Sequence, residues 1–500
     1  MSELNERILI RFASEVFIKS SRTRSRFVDR LVRNLTDALK SRQIDYELER
    51  TWDRLEFRVA DHGPALEVLS RVFGAGPLLP IELTTGPELE TIVDEGARAF
   101  GEQVRGKKFA VRARRRGAHS FSSRDVEQKL GARLDETADH VDLDNPEVTV
   151  HVEVDEDEAI FYTRKLDGAR GLPIGTEGRA VSLISGGFDS AVASWLALRR
   201  GTELDFLFCN LAGRAYERVV LRVAKELADE WCFGYEPRLY VVDFTGPVKA
   251  LRRNVRGSYR QLVLKRLMYR AGEHVADRVD AQALITGESV GQVSSQTLTN
   301  LRAIDAVAER PVIRPLVGLD KEEIIARARE IGTASLSEKV KEYCAISPGN
   351  PVTAASVEDV DAEEAALEPD VLEEPLEEIR TIDLRNLSLG DYVAEYVFME
   401  ELPEDAVLID CQSEQAYENW CVPEAEHWAP WKLRNQYHQL EKEPVYVLYC
   451  ARGVQSAYIA EMMQEEGYDA YSFRGGAPAL RRYLERDESE LVEDGERAPV

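Results

Sequence analysis

Leu183-Ile184-Ser185-Gly186-Gly187-Phe188-Asp189-Ser190 decides how the middle of this chain folds. An apolar strand over 180–184 leads into two glycines and then into Ala191-Val192-Ala193-Ser194-Trp195-Leu196-Ala197-Leu198, a sequence suited to a helix. Glycines allow a sharp turn that presents backbone N–H groups. The helix N-terminus adds partial positive charge, and Ser185 and Ser190 add hydroxyl donors, so the turn suits a phosphate or pyrophosphate. The Walker pattern G-x-x-x-x-G-K-[ST] is absent. Asp189 would repel a bound phosphate unless it holds Mg²⁺, which makes it the candidate metal-linked residue. A plain glycine turn between strand and helix is the competing reading, and the two serines and the aspartate weigh against it.

Outward from this loop, apolar strands are expected at 205–210, 239–242 and 283–286, with helical stretches between them. That rhythm predicts a doubly wound parallel sheet over 176–350. Residues 1–60 read as a strand (7–12), a long amphipathic helix (24–39) and two further strands. Residues 61–175 alternate short helices and strands as a small α+β module, ending in the turn-rich run 168–178. From 356 to 378 there are eleven acids, no bases and two prolines. This composition predicts a flexible acidic linker over 351–380. Residues 381–490 resume an α/β texture, with strands at 407–410 and 445–449 and a helix over 456–466.

The net charge of −26 is unevenly placed, since residues 351–500 hold 36 acids against 11 bases. The rest is nearly neutral and free to carry basic faces. Arg105, Lys107, Lys108, Arg112, Arg114, Arg115, Arg116 and Arg124 fall in a stretch without an acid. Such a run can engage nucleic-acid phosphates; a solvated strand edge is the alternative. The first residues lack a basic and then apolar leader, and no stretch reaches the roughly 20 apolar residues of a membrane span. Six irregularly spaced cysteines make neither a disulfide framework nor a paired CxxC zinc site. A reducing, cytoplasmic setting without membrane attachment is therefore expected. His119, His140 and His274 show no metal-ligand spacing, so no metal beyond Mg²⁺ is expected.

Cys450 ends the strand at 445–449 and opens Ala451-Arg452-Gly453-Val454-Gln455-Ser456 before a helix. Backbone amides, a guanidinium and a helix N-terminus there favour thiolate and hence persulfide chemistry. Cys209, Cys232, Cys411 and Cys421 read as core or near-core thiols.

Ser-Gly-Gly-Phe-Asp-Ser resembles the PP-loop of the ATP pyrophosphatases, which adenylate a carbonyl oxygen with ATP. Thr286-Gly287-Glu288-Ser289-Val290-Gly291-Gln292-Val293-Ser294-Ser295-Gln296-Thr297-Leu298, with Arg314-Pro315-Leu316 and Gly318-Leu319-Asp320-Lys321-Glu322-Glu323, is similar to the signatures of the tRNA 4-thiouridine synthetases (ThiI). Phe109–His119, Val141–Pro146 and Gly171–Gly175 resemble a THUMP domain, a module that docks the tRNA acceptor end behind a small ferredoxin-like domain. Tyr449–Ser456 with Gly475-Gly476 resembles a rhodanese loop. It departs from that pattern at Gln455, where arginine is common, and at Trp420-Cys421-Val422-Pro423, where Gly-His-Ile-Pro is usual.

The resemblance implies an α/β multidomain chain: α+β ferredoxin-like and THUMP modules, a PP-loop module with a doubly wound parallel sheet, and an α/β rhodanese-like module. It implies ATP held by Leu183, Ile184, Ser185, Gly186, Gly187, Asp189 and Ser190, with Lys265, Gly287 and Gln296 completing the pocket, Lys321 neutralising phosphate, and Mg²⁺ at Asp189. It implies a Cys450 persulfide resolved by Cys344 through a transient disulfide. The implied product is 4-thiouridine at position eight of tRNA, and the implied donor a cysteine desulfurase. A sulfur-carrier protein of thiamine thiazole synthesis is the implied second acceptor, and members commonly form homodimers. The competing readings are thiolation of another tRNA position or a small molecule, a tRNA-binding adaptor with a silent PP-loop, and a plain rhodanese.

Overall fold

The computed structural model describes residues 4–211, 214–338, 351–387, 397–403, 405–451 and 453–495. They divide into two compact units, Met1–Arg385 and Asn386–Val500. The first unit holds three sheets. β1 (Glu6–Phe12), β2 (Glu47–Arg50), β3 (Arg54–Val59) and β4 (Ala75–Ile81) form an antiparallel sheet of order β2-β3-β1-β4. The helices Ser21–Ser41 and His62–Ser70 turn apolar faces toward it, with Phe27, Leu31, Leu35, Leu66 and Leu69 buried beside Ile8 and Phe57. Strand β4 belongs to this sheet, so the first module continues past residue 60, the boundary expected from sequence. The reason is pairing: Ala75–Ile81 runs antiparallel along β1, with an isolated bridge from Leu78 to Leu166 beyond it.

The second sheet combines β5 (Leu83–Thr85), β6 (Lys108–Arg115), β7 (His140–Val141), β8 (Val148–Val154) and β9 (Ala159–Tyr162) in the order β5-β9-β8-β6-β7. Its core joins Phe109, Val111, Val150 and Val152 to Ile92 and Phe100 of the helix Leu89–Val104 and to Leu130 of the helix Ser123–Asp135.

The third sheet contains β10 (Arg179–Leu183), β11 (Glu203–Asn210), β12 (Arg238–Asp243), β13 (Ala283–Ile285), β14 (Val312–Ile313) and β15 (Arg380–Asp383), in the order β14-β13-β10-β11-β12-β15. The first five are mutually parallel, as the apolar runs predict, and β15 joins β12 antiparallel. Parallel strands need cover on both faces, which explains why Leu204 to Asn210 are buried without alternation.

Residues 351–380 correct the expectation of a flexible linker. Helices form over Val357–Glu364 and Glu373–Glu377, and Ala355, Val360, Leu367 and Leu372 are buried in the core of the third sheet. The acids are partners here. Asp361 and Glu364 lie 2.5 and 2.9 Å from Arg266 Nη1, a fully buried arginine of the helix Arg260–Val279, and Glu364 also meets Arg270 at 2.9 Å. Composition registered only the like charge; the compensating arginines lie about a hundred residues upstream. The strand that follows, β15, completes the third sheet, so residues 380–383 do not belong with the last module, and the second unit starts at Asn386.

The second unit is a parallel sheet of β16 (Phe398–Met399), β17 (Val407–Asp410), β18 (Glu426–His427), β19 (Val445–Tyr449) and β20 (Asp469–Phe473), in the order β16-β20-β19-β17-β18. The helix Val454–Glu465 follows β19 and buries Ala457, Ile459, Ala460 and Met463. Among the described residues no helix is long and apolar enough to cross a membrane.

Candidate active site

The loop after β10 is built as a turn into a helix. Gly186 takes φ +78°, Gly187 caps the helix Phe188–Arg199, and Ser190 Oγ accepts from the Ser185 N–H at 3.1 Å while donating to the Gly187 carbonyl at 3.2 Å. Ser185 and Ser190 hydroxyls are 3.3 Å apart. Leu183 ends β10, and the Ile184 N–H donates to the Leu207 carbonyl at 2.9 Å, which holds the strand end against β11.

Two segments distant in sequence close on this loop. Gly287 packs so tightly that a Cβ there would fall 2.6 Å from the Ser190 nitrogen and 2.7 Å from the Asp189 carbonyl carbon, leaving room only for glycine. Lys321 opens the helix Lys321–Ile331, whose start is fixed by reciprocal bonds between Asp320 and Glu323. Its ammonium donates to Asp189 Oδ1 at 2.8 Å and sits 5.6 Å from the centre of the Phe188 ring. Gln292 Nε2 donates to Asp189 Oδ2 at 2.9 Å. Gln292 has no role among the expectations drawn from sequence; its place inside the quoted signature was the available signal.

Lys265 stands one layer back. Its Nζ donates to Glu288 Oε1 at 2.5 Å, and Glu288 Oε2 accepts from Tyr269 at 2.7 Å, Arg314 Nε at 2.9 Å and Thr286 Oγ1 at 3.1 Å. Burial alone would raise the pKa of Glu288. The charges of Lys265 and Arg314, with the bonds from Lys265 and Tyr269, outweigh it and hold the pKa at about 2. Gln296 is buried, and its Oε1 has no hydrogen-bond partner among the described residues. A buried acceptor left so costs about 1–3 kcal/mol unless a ligand supplies a donor.

Of the seven basic residues expected to meet RNA, five begin, line or follow β6 and Arg105 and Lys107 precede it, and all seven are exposed. Two are committed internally: Arg105 pairs with Glu102, and Arg116 with Asp53. Arg112 donates to the Leu143 carbonyl and Arg115 to the Gly117 carbonyl. Beside Arg116 is a feature that no single stretch of sequence displays. Trp52 is 67% exposed, with the Arg116 guanidinium 5.9 Å from its ring centre and the exposed Phe17 ring 6.4 Å away. Arg24 covers Phe17 at 5.4 Å. Four residues from three segments thus make an aromatic and cationic surface.

In the second unit Cys450 follows β19 directly and is 4% exposed. Its carbonyl accepts from the Ala477 N–H at 2.9 Å and the Gly453 N–H at 3.3 Å, curling the loop over the thiol. Gly453 has φ +76°, and a Cβ there would lie 2.8 Å from the Gly476 nitrogen. The Ser456 hydroxyl donates to Cys450 Sγ at 3.4 Å and is itself 2.9 Å from Ser472 Oγ, a partner not foreseen from sequence. Arg452 and Cys344 lie outside the described residues. Cys209, Cys232 and Cys411 are buried, and burial pushes the Cys232 thiol up to about 12. Cys421 is half-buried.

Residues 175–368 match the model of the thiamine biosynthesis protein (ThiI) family, residues 7–76 its ferredoxin-like domain, 88–164 the THUMP domain and 397–482 the rhodanese-like domain. The tRNA sulfurtransferase of Desulfurococcus amylolyticus is 38% identical over 481 residues, 96% of this chain and 99% of that protein. The chain belongs to the tRNA sulfurtransferase family. The Photorhabdus laumondii tRNA sulfurtransferase is 35% identical over 93% of the chain and 98% of its own length. Among solved structures, a 4-thiouridine synthetase–RNA complex with bound ATP superposes with a TM-score of 0.68 at 29% identity, covering 75% of this chain and 99% of that one. PH1313 from Pyrococcus horikoshii shares the fold, with a TM-score of 0.52 at 24% identity over 65% of the chain and 99% of its own. As a tRNA sulfurtransferase, this chain is an enzyme built of ferredoxin-like, THUMP, PP-loop-type and rhodanese-like modules.

Proposed function

We propose that the chain converts the uridine at position eight of tRNA to 4-thiouridine, using ATP to activate the C4 oxygen and a Cys450 persulfide as the sulfur source. The observation that carries the reading is the convergence of Gly287, Gln292 and Lys321 on the Ser185–Ser190 turn. An amide-rich turn at a helix start, a lysine and a tethered aspartate suit a nucleotide triphosphate whose α-phosphorus is to be attacked. The buried Oε1 of Gln296 suits a donor on that nucleotide. Leu183 and Ile184 present strand backbone to the same end of the sheet. Mg²⁺ takes few protein ligands when phosphates and water supply the rest, so Asp189 alone fits as its carboxylate, and the ion would neutralise phosphate charge there. Lys265 acts from behind, through Glu288.

The chemistry needs both halves. A uridine carbonyl oxygen leaves poorly; joined to AMP it leaves well. The outer sulfur of the Cys450 persulfide attacks C4 and AMP departs with the oxygen. The Cys344 thiolate then attacks Cys450 Sγ, freeing the thiocarbonyl sulfur on the base and closing a Cys344–Cys450 disulfide that an external reductant reopens. The tRNA acceptor end would lie on the THUMP module, with Lys107, Lys108, Arg112, Arg114 and Arg115 on phosphates and Trp52 and Phe17 stacking on bases. Arg105 and Arg116 would contribute charge while paired. A cysteine desulfurase supplies the persulfide, a sulfur carrier for thiamine thiazole takes a share, and action as a cytoplasmic homodimer completes the reading.

The test is sulfur incorporation into unmodified tRNA with ATP, cysteine and a desulfurase, read by near-UV absorbance. Wild type should form thiouridine, and Cys450→Ala and Asp189→Ala should not. Product surviving Cys450→Ala would move sulfur delivery elsewhere, and no product from any form would favour a tRNA-binding adaptor.

A further inference from the structure

Strands β17 and β19 are parallel neighbours, with Asp410 opposite Tyr449. Each is followed at once by a cysteine, Cys411 and Cys450. The Cys411 N–H donates to the Tyr449 carbonyl at 2.7 Å. In a parallel ladder that bond runs from a residue to the one preceding its partner, so the register continues and sets Cys411 opposite Cys450. Opposed residues on adjacent strands point to one face and lie about 4.8 Å apart. Both side chains enter the same buried cluster. Disulfides form across Cα separations of about 4.4–6.8 Å, a range that takes in the spacing of this pair.

From this juxtaposition, and resting on the persulfide reading above, we infer that Cys411 is a second resolving thiol, which discharges the Cys450 persulfide within the rhodanese-like unit when no acceptor takes the sulfur. The Cys411 thiolate attacks Cys450 Sγ. A bond forms between the two Sγ atoms, and the bond from Cys450 Sγ to the outer sulfur breaks. The outer sulfur leaves with that electron pair as hydrosulfide, and the Cys411 proton passes to solvent. Two cysteine sulfurs are oxidised and the sulfane sulfur is reduced, so the step needs no outside oxidant; a dithiol reductant reopens the bridge. Burial pushes the Cys411 thiol well above its ordinary pKa, with the neighbouring Cys450 adding to the effect. Attack is therefore slow, and transfer to a bound acceptor wins when one is present.

The experiment uses the full chain carrying Cys344→Ala, so that the expected resolving cysteine is gone. The protein is loaded with inorganic polysulfide, desalted, and followed by hydrosulfide release and by non-reducing peptide mapping. The expected result is hydrosulfide appearing together with a Cys411–Cys450 linked peptide. In Cys344→Ala/Cys411→Val, and likewise with Cys411→Ala, the persulfide should persist on the order of tenfold longer with no such peptide. The linked peptide is read with Cys411 in place, so the test stands even if a Cys411 variant folds poorly. Equal persulfide lifetimes, or linkage of Cys450 to Cys421 instead, would overturn the inference. Failure of Cys450 to gain a sulfur atom at the start would overturn the persulfide reading and this inference with it.

Discussion

Lys321 Nζ lies 2.8 Å from Asp189 Oδ1, although 132 residues separate them in the chain. The ion pair ties the start of one helix to the start of another and places a cation and a carboxylate at the mouth of the glycine turn. Asp189→Asn and Lys321→Ala should each lower tRNA-dependent pyrophosphate release by about 10²–10³-fold, the usual cost of removing one preorganised electrostatic partner. Thermal melting should stay close to wild type, because both side chains are partly exposed.

Glu288 carries a pH signature. Its folded pKa of about 2 lies below the ordinary 4.5, so its contribution to stability is complete above the higher value. That contribution is lost as pH falls from about 4.5 through about 2 and is on the order of 3 kcal/mol. Glu288→Gln leaves Lys265 and Arg314 beside a neutral amide. Its melting temperature should be clearly lower at pH 7, and the gap from wild type should narrow as the pH approaches 2. A gap independent of pH would contradict the assignment.

Arg266 should govern how residues 356–378 behave toward proteases. With its Nη1 between Asp361 and Glu364 and its Nε on the Ala303 carbonyl at 2.8 Å, the arginine anchors the Val357–Glu364 helix. Limited proteolysis of wild type should spare this stretch. In Arg266→Ala, which takes the buried guanidinium away from Asp361 and Glu364, it should become a major site of cleavage.

Trp52→Ala should weaken tRNA binding by about tenfold, within the ~1–3 kcal/mol typical of a stacked base. Arg112→Ala and Arg114→Ala should instead reduce the salt dependence of the Kd, by a slope of about one for each phosphate no longer neutralised. Filter binding across a salt series separates the two behaviours, and an unchanged Kd for Trp52→Ala would remove the aromatic surface from the RNA interface.

What could be read before the fold was known followed the range of the interactions involved. The strands at 407–410 and 445–449 coincide with β17 and β19, because each is an apolar run cut off by turn-forming residues. The glycine turn was legible for the same local reason. The packing of Asp361 and Glu364 is not legible locally, because their charge is compensated by Arg266 and Arg270, which no local window contains. The pairing of Trp52 with Phe17 has no local signal, because 35 residues and a long helix separate two rings that meet only after folding. The role of Ser456 has no local signal either, because its bond to Cys450 Sγ depends on how the loop curls back under Gly475 and Gly476.

β15 lies antiparallel along β12, with Arg380 opposite Val241 and Asp383 opposite Arg238. It gives the outward backbone groups of that strand a partner they would otherwise seek in another molecule. A chain shortened to end before residue 380 would still carry the glycine turn after β10 but would present a bare, twisted ribbon to its neighbours. Self-association of such a fragment, relieved when the chain is extended through Leu384, would reveal this short strand as a guard on solubility.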